Sequence, residues 1–224
     1  MGTPGLNRKV EAEVKVKKRI SVFTPLPMPI PVFFITGGSN VVASVQMLLD
    51  SGIRCFQYRI KNRAKKEMFY EALELRELTK KYKACLIVND YADLALAVDA
   101  DGLHLGQEDL PLAEARKLMG DRLIGISTHN LAEAAGAEKG GADYIGFGPV
   151  FHTTTKDAGG PKGLDVLEEI RKSVKIPVLA IGGIKAENVR SVLETGCYGV
   201  AVSSGLLEGD IRANGRKFLH NIRG

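Results

Sequence analysis

Residues 144–163 read YIGFGPVFHTTTKDAGGPKG. A short apolar run stops at Gly148-Pro149, a polar loop follows, and an amphipathic segment begins at Leu164. That is one strand, one loop and one helix in order. The loop carries Thr153, Thr154, Thr155, Lys156, Gly159 and Gly160. Hydroxyls and an ammonium are donors, and glycines let backbone N–H groups approach an anion closely. The plain alternative is a polar connector, and only the rest of the chain separates the two.

Outward from this stretch the same unit repeats. Apolar runs fall at 32–36, 53–58, 84–89, 102–105, 123–127, 144–147, 178–181 and 199–203. Between them lie helical patterns at 64–82, 112–119, 131–139, 164–173 and 187–193, with a last one at 211–222. In the first, Met68, Ala72, Leu75 and Leu78 recur at helical spacing. Short strands alternating with helices predict a parallel sheet, and eight units predict its closure into a (β/α)8 barrel. The active site of such a barrel lies at the C-terminal ends of its strands.

The chain totals agree with one such barrel, over 31–224. At 224 residues, 45% hydrophobic and 25% charged, the chain has enough apolar residues for a single sizeable core. Residues 1–30 form an N-terminal extension. Val10, Ala12, Val14 and Val16 alternate with charged neighbours there, and Pro25, Pro27, Pro29 and Pro31 enforce an extended connector. An edge strand, a contact within a homo-oligomer and a loosely attached arm all fit that pattern. The extension also holds +4 of the net charge of +5, since six Lys/Arg precede residue 21 against Glu11 and Glu13. The near-neutral remainder offers no basic face to nucleic acid. These 224 residues show neither an apolar h-region nor a membrane-length run, so neither export nor insertion is expected. Cys55, Cys85 and Cys197 are far apart, as expected of buried reduced thiols in a cytoplasmic protein.

The strand ends carry the polar chemistry. Gln57, Arg59 and Lys61 alternate with Tyr58 and Ile60, so their side chains share one side, as a diphosphate grip requires. A solvated rim is the simpler reading of two basic residues alone. Asn89-Asp90 closes the third run, and Gln107-Glu108-Asp109 follows the fourth. Asp90 and Asp109 each stand where a helix cap could sit. Two carboxylates beside a phosphate grip favour Mg²⁺, which takes one or two carboxylates plus phosphate oxygens. Ser127 ends the fifth run as either a substrate donor or a cap. His129 beside it is an acid/base or a rim histidine, and His104, inside a short apolar strand, reads as a satisfied core residue. Gly182-Gly183 after the seventh run and Ser203-Ser204-Gly205, opening the last helix, match the recurrent barrel phosphate site. Two anion sites result, one with carboxylates and one without.

The ordered set QYRIK, IVND, GLHLGQEDLP, GISTH, GPVFHTTTK, IPVLAIGG and VSSG resembles the thiamine phosphate synthase family, from about Val32 to the C-terminus. That family is a barrel that joins a hydroxymethylpyrimidine diphosphate to a thiazole phosphate with Mg²⁺, releasing diphosphate. The resemblance implies that Gln57, Arg59, Lys61, Asn89, Ser127 and Lys156 hold the pyrimidine diphosphate, and that Asp90 and Asp109 hold Mg²⁺. It gives Arg59, Lys61, Ser127 and Lys156 the catalytic roles. Thr153, Thr155, Gly183, Ser203 and Ser204 would take the thiazole phosphate, with the loop around Gly159 and Gly160 as a lid. Two departures stand out. Ile35-Thr36-Gly37-Gly38 lacks the acidic residue that usually follows the Thr, and His152 replaces a common Pro. The rival expectations are a thiazole tautomerase using His129 and a non-catalytic barrel that senses thiamine precursors.

Overall fold

The computed structural model describes residues 32–36, 40–153 and 159–223. The N-terminal extension therefore lies outside the described residues, as do Thr155 and Lys156. Eight strands, β1 (Val32–Ile35), β2 (Cys55–Tyr58), β3 (Cys85–Asn89), β4 (Gly102–Leu105), β5 (Leu123–Thr128), β6 (Tyr144–Phe147), β7 (Val178–Ile181) and β8 (Gly199–Val202), pair in parallel in sequence order. β8 pairs with β1 and closes the barrel.

The helices pack outside. They are α1 (Val41–Ser51), α2 (Lys65–Lys81), α3 (Ala92–Ala97), α4 (Leu112–Met119), α5 (Leu131–Gly140), α6 (Gly163–Ser173), α7 (Val189–Glu194), α8 (Ser204–Leu207) and α9 (Ile211–Arg223). α2 illustrates the helical stripe. Met68, Ala72 and Leu75 are buried as their spacing predicts, but Thr79 rather than Leu78 completes the fully buried row. Leu78 packs partly buried at its edge. Each fully buried Leu or Ile contributes roughly 1.5–3 kcal/mol against exposure. One expectation needs correcting at the end of the chain. Ser203-Ser204-Gly205 does not open the last helix; Ser203 precedes the four-residue α8, and α9 follows separately.

Two packing layers result. The main core lies between strands and helices, while Ile35, Cys55, Cys85, Ile87, Tyr144, Leu179 and Ala201 fill the barrel itself. The three cysteines are free and buried, and burial pushes the Cys55 thiol up to about 12. The Tyr144 ring fits because Gly125, its neighbour on β5, has no side chain. A Cβ there would lie 2.1 Å from Tyr144 Cζ. On the N-terminal face, Arg76 Nη1 donates to Asp101 Oδ2 at 2.8 Å, and the same oxygen accepts Leu86 N–H at 2.8 Å. Arg116, Asp143 and Ile124 N repeat this clamp two β/α units later. Among the described residues no helix is long and apolar enough to cross a membrane.

Candidate active site

A cavity of about 430 Å³ opens at the C-terminal ends of the strands. Its wall contains Gln57, Arg59, Lys61, Asn89, Asp90, Asp109, Ser127, Thr153, Gly183, Ser203 and Ser204. Every candidate site residue within the described part of the chain is thus brought to one space. The basic and acidic members come from β2, β3, β4 and their loops, and the neutral ones Gly183, Ser203 and Ser204 from β7 and β8.

On the charged flank, strand alternation turns Gln57 inward while Tyr58 faces the helices, donating to Glu71 Oε2 at 2.7 Å. Arg59 lies just past β2, where its backbone N–H donates to Thr36 Oγ1 at 2.9 Å. Thr36 is 2% exposed, so this short link from β1 fixes the start of the Arg59–Lys61 segment. The sequence reading passed Thr36 over. Its only signal was a polar residue ending an apolar strand.

Neither aspartate caps a helix. Asp90 adopts a left-handed backbone, φ 64°, and its N–H completes the ladder to His104 O at 2.9 Å. Tyr91 occupies the N-cap position of α3, and Pro111 that of α4, neither with a side-chain cap bond. Asp109 instead folds back on its own loop and accepts Gly106 N–H at Oδ2, 2.6 Å away. Gln107 Nε2 ties that loop to Ser127 O at 2.6 Å. The Asp90 carboxyl is raised to about 6, first by burial, then by a hydrogen bond to the Asp109 carboxyl and by its charge, with Lys61 and Arg59 opposing. Two acids this close either share a proton or hold a cation between them. That donor set fits Mg²⁺. Among the described residues no group of three or more His, Cys, Asp or Glu is placed to hold a metal, so further ligands would come from phosphate and water.

On the glycine–serine flank the glycines have a second reason to be there. Gly182 and Gly183 take φ of 97° and 64°, and Cβ atoms on them would lie 2.5 Å from Pro149 Cβ and from His152 O. The loop leaving β6 runs directly over this turn, with Val150 N donating to Ile181 O and Phe151 N to Gly182 O. Gly159, with φ 78°, is exposed in open space. Residues 154–158 of the expected lid are outside the described residues.

The histidines divide. His129 lies on the cavity wall, but Glu133 holds it: Oε2 accepts His129 N–H at 2.8 Å and sits 2.9 Å from Nδ1. At the start of α5 the Glu133 backbone N–H donates to the N-cap Asn130 Oδ1 at 2.9 Å, and Glu133 Oε1 accepts from Asn130 Nδ2. His104 is satisfied as the sequence suggested, with Nδ1 3.1 Å from Tyr144 Oη and Nε2 3.0 Å from Ser127 Oγ. It also lines the cavity, which the sequence reading missed. The available signal was strand parity: Gly102 and His104 face the interior between outward Leu103 and Leu105.

A closed (β/α)8 barrel with a cavity at its C-terminal mouth, basic and acidic on one flank and glycine–serine with Lys185 on the other, defines an enzyme of the phosphate-handling barrel class. Comparison with known proteins narrows this. The family model for thiamine monophosphate synthase matches residues 32–206, and the chain belongs to that family. It is 49% identical over 177 residues to the thiamine-phosphate synthase of Chloroflexus aurantiacus, covering 79% of this chain and 82% of that one. With the Halalkalibacterium halodurans thiamine-phosphate synthase it shares 50% over 167 residues, covering 74% and 79%. Among solved structures, the thiamine phosphate pyrophosphorylase from Pyrococcus furiosus superposes with a TM-score of 0.82 at 41% identity, covering 87% of this chain and 96% of that one.

Proposed function

We propose that this chain couples 4-amino-2-methyl-5-hydroxymethylpyrimidine diphosphate to thiazole phosphate, giving thiamine phosphate and diphosphate. The observation that carries the reading is one cavity that joins a flank of Arg59, Lys61, Asp90 and Asp109 to a glycine–serine flank that carries Lys185 and no carboxylate. Two substrates with phosphate groups of different charge need such a partition. The relatives named as thiamine-phosphate synthases support it.

In this proposal Gln57, Arg59, Lys61, Asn89 and Ser127 bind the pyrimidine diphosphate, joined by Lys156. Thr153, Gly183, Ser203 and Ser204 take the thiazole phosphate, joined by Thr155. Asp90 and Asp109 hold Mg²⁺, which when bound neutralises diphosphate oxygens. The bond from the pyrimidine methylene carbon to diphosphate oxygen breaks with its electron pair leaving on oxygen. The ring amino group stabilises the resulting cation, and the thiazole nitrogen lone pair forms the new C–N bond. No protein nucleophile is required. Arg59, Lys61 and Lys156 neutralise the leaving group, and positioning of the two substrates supplies on the order of 7–11 kcal/mol of the barrier.

A tautomerase acting on one monophosphate would have no use for the facing carboxylates. The partition is tested by steady-state kinetics on two variants. Asp90→Ala is expected to raise the Mg²⁺ requirement and the KM for the pyrimidine diphosphate, and Ser204→Ala the KM for the thiazole phosphate. An unchanged metal requirement removes Asp90 from the ligand set. If both variants affect the same substrate, the two-flank assignment fails.

A further inference from the structure

Ser127 belongs to a chain of side chains that crosses the barrel interior. Its Oγ is 3.0 Å from His104 Nε2, and His104 Nδ1 is 3.1 Å from Tyr144 Oη. The Gln57 side chain also acts on the Tyr144 hydroxyl, favouring its ionised form against burial. The four residues come from β5, β4, β6 and β2. Two glycines clear their path: Gly125 leaves room for the Tyr144 ring, and a Cβ on Gly146 would already touch His104 Cε1 at 3.4 Å. Tyr144 and His104 are 2% and 7% exposed, so these bonds are shielded from exchange with bulk water.

The chain has a direction. A phenol hydroxyl donates to an unprotonated imidazole nitrogen more strongly than an imidazole N–H donates to a phenol oxygen, and Tyr144 Oη stands 3.1 Å from His104 Nδ1. Burial holds Tyr144 protonated, well above the usual tyrosine range. The phenol proton is therefore assigned to the bond with His104 Nδ1. The ring proton of a neutral imidazole must then sit on Nε2, facing Ser127 Oγ. Ser127 accepts there, which leaves its own hydroxyl proton for an acceptor in the cavity.

We propose that His104 and Tyr144 are positioning residues: they fix Ser127 as a hydrogen-bond donor to the ligand rather than an acceptor. The inference rests on the synthase reading for its kinetic readout but not for its spectroscopic one. Tyr144→Phe removes one hydroxyl from the chain without changing the ring. It is expected to lower kcat/KM for the pyrimidine diphosphate by about tenfold in the native background, the scale of one mis-set buried hydrogen bond. In the Ser127→Ala background it should cost less than about twofold, because the residue it acts through is gone. Equal losses in both backgrounds, or none in either, would overturn the inference. Should Tyr144→Phe fail to fold, nitrogen-15 spectra of the native protein decide instead, His104 being identified by the signal absent from His104→Gln. A neutral Nε2–H tautomer is expected, and an Nδ1–H tautomer contradicts the proposed direction. Native protein without synthase turnover would defeat the functional reading while leaving the tautomer measurable.

Discussion

Asp90 carries two local costs at once, a left-handed backbone and a half-buried carboxyl opposite another acid. Residues held this way persist where the surroundings over-determine them, commonly at functional sites. The electrostatic cost has a sign that can be checked. The carboxyl is raised from the usual 3.8 to about 6, so its contribution to stability is fully present below about 3.8 and is lost as pH rises through 6. At neutral pH the metal-free protein therefore carries a penalty that Asp90→Asn removes. Asn also tolerates the left-handed backbone. After discounting for the water that still reaches the group, the gain should be about 1 kcal/mol, or roughly 2–4 °C in Tm. Calorimetry without metal should find that gain at pH 7.5 and lose it by pH 4. A variant no more stable than the native protein at pH 7.5 would mean the two acids do not repel. From the sequence, Asp90 and Asp109 suited helix caps as well as ligands, because both uses want a short acid at the start of a helix. The difference lies in backbone dihedrals and in Tyr91 and Pro111 taking the cap positions, which spacing does not encode.

The two ends of the barrel strands divide the labour between elements. At the C-terminal face, the Gly182-Gly183 turn supports both the cavity wall and the loop leaving β6. Gly182→Ala would force a Cβ within 2.5 Å of Pro149 in a left-handed backbone. A loss of roughly 2–4 kcal/mol in urea unfolding is expected, with a raised KM for thiazole phosphate. Unchanged stability would mean the loop is not seated on that turn. At the N-terminal face, Asp101→Ala leaves Arg76 and Leu86 N–H without their shared acceptor. It should cost a similar roughly 2–4 kcal/mol, but with kcat unchanged because the clamp lies across the barrel from the cavity. A large fall in kcat at constant fold would contradict that separation. Strand alternation made the inward side of Gln57, Arg59 and Lys61 legible. It did not reveal His104 as a bridge, since Tyr144, Ser127, Gly125 and Gly146 are distant in sequence. Only the closed barrel and its register bring them together.

For the whole molecule, eight short apolar runs, most of them separated by a helical pattern, pointed to a closed parallel barrel, and the structure has that barrel. The cavity at its mouth then follows from closure, as strand ends on opposite sides of the sheet come to face each other. What the helical patterns did not supply were α1, whose apolar residues spread over most of its faces, and the short α8, a local turn with no periodicity of its own. The account's central claim is that this one cavity holds two phosphorylated substrates and joins them. The most direct test incubates the full chain with the pyrimidine diphosphate, the thiazole phosphate and Mg²⁺ and follows diphosphate and thiamine phosphate together. Equal amounts of both products, formed only when both substrates and the metal are present, are expected. A correctly folded protein that binds both substrates and releases no diphosphate would contradict the account.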